Sequence, residues 1–558
     1  MIFLHSAALI VAIGITPWLL ARMLDRQADT ATTLALWGPI MIGLNSVVMI
    51  AIHLAGLPLS PDSLALAHLI ISTAVIGASR LSGVAAHFPD TPAPRRLAGC
   101  AILFAVLVIP VSHIAGVDTY KWQDLAGSVA VEGRIAWLIH PISLLGFTPR
   151  SYPSAQPLLL ATIQMLGHTG VDWGFYILSV TLGLTGLFGA WRLGRHLFIS
   201  ERTALWFAFL YVFSPVFMRY NYWATGRGMV LALLPIYLLI LLRCPVPFRN
   251  KTGHAMNLLS WLPAFLGLSL LLALSHKAGL IGALLIPVVV LFSPLLALAR
   301  SRFALCVLLL LATGAGFMIA DNSPVTLITR LVTRFAWLAP LAALGVCGAP
   351  DRFQSPGARA MLAGGLATVI LSCTPDMYGA LLALPFVAYA AVCGFTVWES
   401  ENPLPRIKPA SSLFAMTLLA SLAILINQAM DSPSQSLYRA ALFLERYDPK
   451  GPFRIEAPGR ARTQMQAYVS GCPRFTVEAG DTATMGLRPP PGWSGHPQRD
   501  ARSWIDYLRV MLELRGASAD WYGGGTKVYV FTVDGKGTIP PKGKLLFKDG
   551  SVELYERP

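Results

Sequence analysis

Acids and bases crowd into one stretch of this chain, residues 116–160: GVDTYKWQDLAGSVAVEGRIAWLIHPISLLGFTPRSYPSAQPLLL. It carries Asp118, Lys121, Asp124, Glu132, Arg134, His140 and Arg150 between two strongly hydrophobic regions. A connection between membrane helices needs only a few polar residues, so one this long and charged reads as functional. A carboxylate there can take a proton from an attacking hydroxyl, and fixed cations nearby can hold an anionic leaving group. Asp118 is the expected base, with Asp124 and Glu132 as alternative bases or loop-structure residues. The plainer reading of Asp118 is a helix-terminating residue that faces water. For the leaving anion the candidates are Arg227, His276 and Lys277, each expected at an outer helix end, with Arg219 and Arg134 next. Arg219 and Lys277 could instead snorkel to lipid headgroups. His140 reads as packed against a surface helix rather than catalytic.

The surrounding composition fixes the solvent in which these residues work. The chain has 558 residues, 55% hydrophobic and 13% charged, where soluble domains carry roughly 25% charged residues. Its mean hydropathy is +0.60. Apolar runs of roughly 17–22 residues recur to about residue 425, long enough to cross a bilayer as helices. Alternating barrel patterns are absent, and an open sheet cannot sit in lipid. The formal net charge of +15 would point to nucleic acid in a soluble protein. Here many basic residues fall in short loops between apolar runs, which is the positive-inside pattern. Six cysteines lie in or beside apolar helices and only Cys472 falls in the polar tail, so no disulfide closes within that tail. No Cys/His spacing resembles a zinc site, and no metal ligands are assigned.

The expected fold is a polytopic α-helical membrane protein of about fourteen spans with a C-terminal α/β soluble domain. Residues 1–96 read as a preface of three helices, at about 2–21, 33–56 and 63–80. The first is expected to be retained with its N-terminus outside, since it lacks a basic n-region and a cleavage site. Residues 97–430 form the membrane core. A helix at about 98–116 carries the chain outward to Asp118, and 117–153 is the outer-face loop. YPSAQPLLLATIQML is too short for a comfortable span and reads as a re-entrant or surface helix. Spans follow at about 173–193, 203–219, 228–243, 258–275, 278–298, 303–320, 332–347, 359–374, 377–396 and 411–428. Strongly basic short loops then fall inside and both termini outside, Arg330 and Arg334 being the exception. Residues 431–558 read as an exterior α/β domain: strands in FRIEA, RFTVEA and TKVYVFTV, an amphipathic helix in ARSWIDYLRVMLEL, and a hairpin in KLLFKDGSVELYE.

The order of a short acidic motif after an apolar helix, an amphipathic loop, a YP-x-x-x-PLLLA helix and a long helix ending in WRLGRHLF resembles the GT-C membrane glycosyltransferases. That superfamily includes protein mannosyltransferases, oligosaccharyltransferase catalytic subunits and aminoarabinose transferases. FLYVFSPVFMRYNYWATGR is similar to their LSP-x-x-x-R-Y hairpin, and TPDMYGALLALPFVAYAA to their PRY-x-x-P-x-x-P helix. The resemblance covers about residues 98–430. It implies an inverting glycosyltransferase, taking a sugar from a polyprenyl-phosphate donor to an envelope lipid, polysaccharide or protein acceptor on the outer face. Asp118 would then be the base, the cations would hold the departing phosphate, and the exterior domain would help to select the acceptor. Many relatives carry paired acids where this chain has Asp118-Thr119-Tyr120, which leaves a divalent cation open rather than expected. Their PRY arginine is Met377 here, so no donor contact is carried over to it. Two other classes stand beside this reading. A lipid-linked-glycan transporter or flippase would show repeated halves, and no internal symmetry is visible. A non-catalytic envelope scaffold of the same fold would keep the donor without turning it over. GLTGLFG reads as helix packing, and GGGTK lacks the spacing of a phosphate-binding loop.

Overall fold

The computed structural model describes residues 1–24, 30–82, 95–110, 112–135, 137–138, 141–146, 153–244, 258–293, 334–348, 353, 355–372, 378–400, 408–449, 453–458, 460–469, 527–537, 539 and 542–557. His140, Arg150, Arg330, Met377, the RFTVEA stretch and the ARSWIDYLRVMLEL stretch lie outside the described residues. So does the span expected at 303–320.

The chain is mostly helical. Helix α1 (Ile2–Leu24), which loosens into a π turn at Val11–Ile15, packs with α2 (Thr30–Leu54) and α3 (Pro61–Leu81). Ser60 and Ser63 form a capping box at the start of α3, with Pro61 at the first helical position. Then come α4 (Arg95–Leu107), α5 (Val117–Glu132), α6 (Ala155–Gly167) and the long α7 (Val171–Leu197). Helices α8 (Glu201–Val212) and α9 (Pro215–Asn221) are joined at a 52° bend, where Pro215 cannot continue α8 and the Ser214 hydroxyl caps α9. Among the described residues, helices α10 (Gly226–Leu242), α11 (Leu258–Ser275), α12 (Lys277–Phe292), α13 (Leu338–Gly348), α14 (Pro356–Ser372), α15 (Tyr378–Ser400) and α16 (Pro409–Ala429) continue the apolar part.

At the centre is α7. Its glycines admit neighbours that no larger residue would allow: Phe104 of α4 lies against Gly183, Phe217 of α9 against Gly186, and Ile236 of α10 against Gly189. These are the small residues of GLTGLFG, and their role is close packing.

After α16 the chain turns polar. Helix α17 (Gln435–Tyr447) buries Leu437, Ala440, Ala441 and Leu444 against the sheet. Strand β1 (Phe453–Glu456) and helix α18 (Ala461–Tyr468) follow. The sheet is completed by β2 (Lys527–Val533), β3 (Lys544–Asp549) and β4 (Val552–Arg557), in the order β1-β2-β4-β3. Strands β1 and β2 are parallel and the other neighbours antiparallel. Gly550 supplies the left-handed turn (φ +58°) between β3 and β4.

Two expectations change. The helix expected at 98–116 ends at Leu107, because Pro110 lacks an N–H and forces the residues before it out of helical geometry. The stretch expected as a loop from 117 is a helix over Val117–Glu132, begun by Gly116 at φ +91°. The chain therefore does not arrive at Asp118 straight from a membrane span. Among the described residues six helices are long and apolar enough to cross a membrane, or seven if the bent α8–α9 pair counts as one span. Fourteen are not reached among these residues: α10, α11, α12 and α13 are apolar but shorter, and the span expected at 303–320 lies outside the described residues.

Candidate active site

Three helix N-termini meet at one place. Asp118 stands in the first turn of α5, Arg227 is the second residue of α10, and Lys277 is the first residue of α12. Each terminus carries a partial positive charge, so together they favour anions. The Asp118 carboxylate forms an ion pair with Arg227 at 3.2 Å, with the two side chains 39% and 28% exposed. The pair is accessible to a ligand.

Glycine makes this convergence possible. A Cβ at Gly226 would lie 2.5 Å from the Ser275 carbonyl and 2.7 Å from the Trp122 ring. Trp122 is buried one turn after Asp118, so α5, α10 and the α11–α12 junction touch at that glycine. The turn before it is held from several sides. The Thr225 hydroxyl donates to the Tyr220 carbonyl and accepts from the Gly228 N–H, while Gln156 donates to the carbonyl of Ala224.

Tyr220 organises two of the cations. The Arg219 and Arg227 guanidinium groups lie 5.9 Å and 5.5 Å from its ring centroid. Arg219 is exposed at the end of α9. His276 caps α12 by accepting the Ala278 N–H on Nδ1 at 3.0 Å, and its ring meets Tyr378 edge-on. Burial, with the charges of Arg227 and Lys277 beside it, pushes the His276 pKa down to about 3. His276 is thus a neutral cap within the cluster rather than one of its cations.

The other candidates lie elsewhere. Asp124 is half-buried further along α5. Glu132 ends that helix and pairs with Arg134 at 3.5 Å, about 21 Å from Asp118 at 1.5 Å per helical residue. Burial raises the Glu132 pKa to about 7, and Arg134 offsets this only in part. Among the described residues of 116–160, Asp118 and Glu132 therefore belong to separate groups of charges.

A groove of about 700 Å³ runs between α2, α10 and α11. Leu36, Ile40 and Val47 of α2, Ile236 and Ile240 of α10, and Leu270 and Leu274 of α11 contribute to its almost wholly apolar lining. Val47 and Leu270 are exposed on the flank of the molecule. Leu274 of its lining precedes Ser275, whose carbonyl faces Gly226, so one part of the groove lies on the helix that meets the start of α10.

Sequence reasoning missed a second acid. Asp172, in the first turn of α7, accepts the Ile114 N–H at 3.0 Å and the Tyr468 hydroxyl at 2.8 Å on Oδ1, and meets His113 at 3.0 Å through Oδ2. An acid opening a long apolar helix was the available signal. Among the described residues no three His, Cys, Asp or Glu side chains are placed to hold a metal. With Asp118 on Arg227 and both Asp172 oxygens engaged, these donors do not form a divalent-cation cradle.

The fold is thus helical and built for a bilayer, with a small sheet at its C-terminal end. No family model and no curated protein matches the chain. Among solved structures it is similar to the oligosaccharyltransferase of Archaeoglobus fulgidus. The apo form gives TM-score 0.45 and 13% identity over 78% of this chain and 69% of that one. The complex with zinc and sulfate gives 0.47 and 14% over 78% and 67%. It is also similar to ArnT from Cupriavidus metallidurans bound to undecaprenyl phosphate, with TM-score 0.42 and 12% identity over 83% and 97%. Both enzymes have the GT-C fold whose motifs the sequence resembles. At TM-scores below 0.5, the activity of this chain rests on its own residues.

Proposed function

We propose that this protein is a membrane glycosyltransferase that moves a sugar from a polyprenyl-phosphate-linked donor to an envelope acceptor (lipid, polysaccharide or protein) at the outer face. One observation carries the reading: Asp118 is ion-paired to Arg227, with Lys277 at a neighbouring helix N-terminus, in a fold that also holds an almost wholly apolar groove. The groove suits an isoprenoid chain by burial of apolar surface. Arg227 and Lys277, at helix N-termini, suit its phosphate.

In the transfer, the acceptor oxygen bonds to the anomeric carbon as the bond from that carbon to the phosphate oxygen breaks. The electron pair leaves with the polyprenyl phosphate, whose charge Arg227 and Lys277 hold. Asp118 takes the acceptor proton. An inverting reaction places base and leaving group on opposite sides of that carbon, so the Asp118–Arg227 pair has to part when phosphate arrives. Donor phosphate on Arg227 thereby releases Asp118 to act as the base.

The test is turnover of a polyprenyl-phosphate sugar by the purified protein, followed by release of free polyprenyl phosphate. Release that depends on Asp118 supports the transferase. Donor moved across a vesicle membrane without cleavage would make the protein a transporter, and donor bound without release a scaffold.

A further inference from the structure

The C-terminal segment grips the start of the helix that bears Asp118. Tyr468, at the end of α18, donates its hydroxyl to Asp172 Oδ1 at 2.8 Å, and the same hydroxyl accepts the Ile114 N–H at 3.1 Å. His113 meets Asp172 Oδ2 through Nδ1 at 3.0 Å and Gln435 Oε1 through Nε2 at 3.1 Å. Its ring stacks on Tyr438 at 3.6 Å, and its carbonyl accepts the Ser432 hydroxyl at 2.6 Å. Tyr120, two residues after Asp118, donates to the Ile114 carbonyl at 3.0 Å and accepts from Gln464 at 3.3 Å. Tyr120 and Ile114 are fully buried and Tyr468 is 9% exposed. Residues 432, 435, 438, 464 and 468 therefore all hold the segment 113–120 or the first turn of α7.

We propose that this junction is a positioning latch, in which Tyr468 and His113 clamp Asp172 and so fix the first turn of α5, with Asp118, relative to Arg227. The catalytic meaning of Asp118 rests on the function proposed above; the latch itself does not. Tyr468 and His113 are positioning residues, because they touch neither Asp118 nor Arg227 and act through Ile114 and Tyr120. The C-terminal unit is then a working part of the site rather than a cover over it.

The latch also depends on pH. Both His113 nitrogens face acceptors, Asp172 Oδ2 and Gln435 Oε1, and only the imidazolium donates to both. The groups facing His113 are Asp172 from α7, Gln435 and Tyr438 from α17, and Tyr468 from α18. Burial works against the charge, but the bonds to Asp172 and Gln435 and the charge of Asp172 outweigh it, leaving the His113 pKa raised. A raised histidine pKa stabilises the closed latch fully below the ordinary histidine range. That contribution is lost as pH rises through the raised value.

Hydrogen exchange on the full-length protein in nanodiscs tests this without any assay of transfer. Tyr468→Phe removes one hydroxyl and should speed exchange at residues 117–121 about tenfold, the effect of losing one hydrogen bond to a charged acceptor. Exchange in β2–β4 should stay unchanged. Arg439→Ala, an exposed change on α17 whose side chain meets Asp549, should leave residues 117–121 as they are. After correction for intrinsic rates, exchange at 117–121 should rise with pH in the parent and lose that rise in His113→Gln. In a transfer assay, Tyr468→Phe should lower kcat while donor KM stays within about twofold. Unchanged exchange at 117–121 in both Tyr468→Phe and Asp172→Asn overturns the latch. Altered exchange in a protein that transfers no sugar keeps the latch and removes the transferase.

Discussion

Asp118 and Arg227 neutralise each other at 3.2 Å, so a phosphate that binds Arg227 competes with the carboxylate. Asp118→Asn should therefore divide two measurements. Turnover should fall about 10²–10⁴-fold, as for loss of a general base, while affinity for polyprenyl phosphate rises because the arginine is released. A water-facing structural aspartate would leave turnover nearly intact, and weaker donor binding in the variant would contradict the competition. Arg227→Ala and Lys277→Ala should weaken donor binding instead, which equilibrium binding of polyprenyl phosphate will register. At the far end of α5, Glu132 offers a stability test. A carboxyl whose pKa is raised from 4.5 to about 7 in the folded state favours the fold when protonated, and that contribution is lost as pH rises through this interval. Glu132→Gln should melt like the parent below the interval and at a higher temperature above it, with transfer unaffected. Equal melting temperatures at both ends would show that Arg134 fully supports the ionised form.

Elements bring these side chains together only because some of them approach closer than side chains normally permit. Gly226 is the clearest case, with the Ser275 carbonyl and the Trp122 ring both within 2.7 Å of where a Cβ would sit. Gly226→Val should push α10 away from α5 and the α11–α12 junction, at about 1–3 kcal/mol for overpacking. Donor affinity should fall although Arg227 is intact. A variant with parental donor affinity and melting temperature would show that the junction yields freely. The same device recurs where Gly345 of α13 meets Gly394 of α15, each facing a backbone carbonyl of the other helix. Close helix contacts of this kind suit a bilayer, where apolar burial alone does not drive helices together.

For the whole molecule, the proposed chemistry requires Asp118 and the C-terminal unit to share the outer side. A reporter fused after Gln428 should be active outside the cytoplasm, and one fused after Ile199, beyond the basic end of α7, only inside. The opposite pattern would put Asp118 on the wrong face for an envelope acceptor. The class of molecule and many individual elements were legible in the chain itself. Apolar length marked α1, α2, α3, α7, α15 and α16, and alternation with an Asp549-Gly550 turn marked the hairpin of β3 and β4. The break after Leu107 and the amphipathic α17 were legible in principle, in Pro110 and in apolar residues at 437, 440, 441 and 444 behind Ser434. Such features belong to short windows of sequence, where local composition and backbone preference decide the outcome. Asp118 and Arg227 could be chosen by residue type and place, but their pairing could not be read there. Nor could the neutrality of His276 or the clamp on Asp172 by Tyr468. Each depends on groups from distant parts of the chain whose spacing and dielectric surroundings are set by how helices pack, and only the tertiary structure decides that.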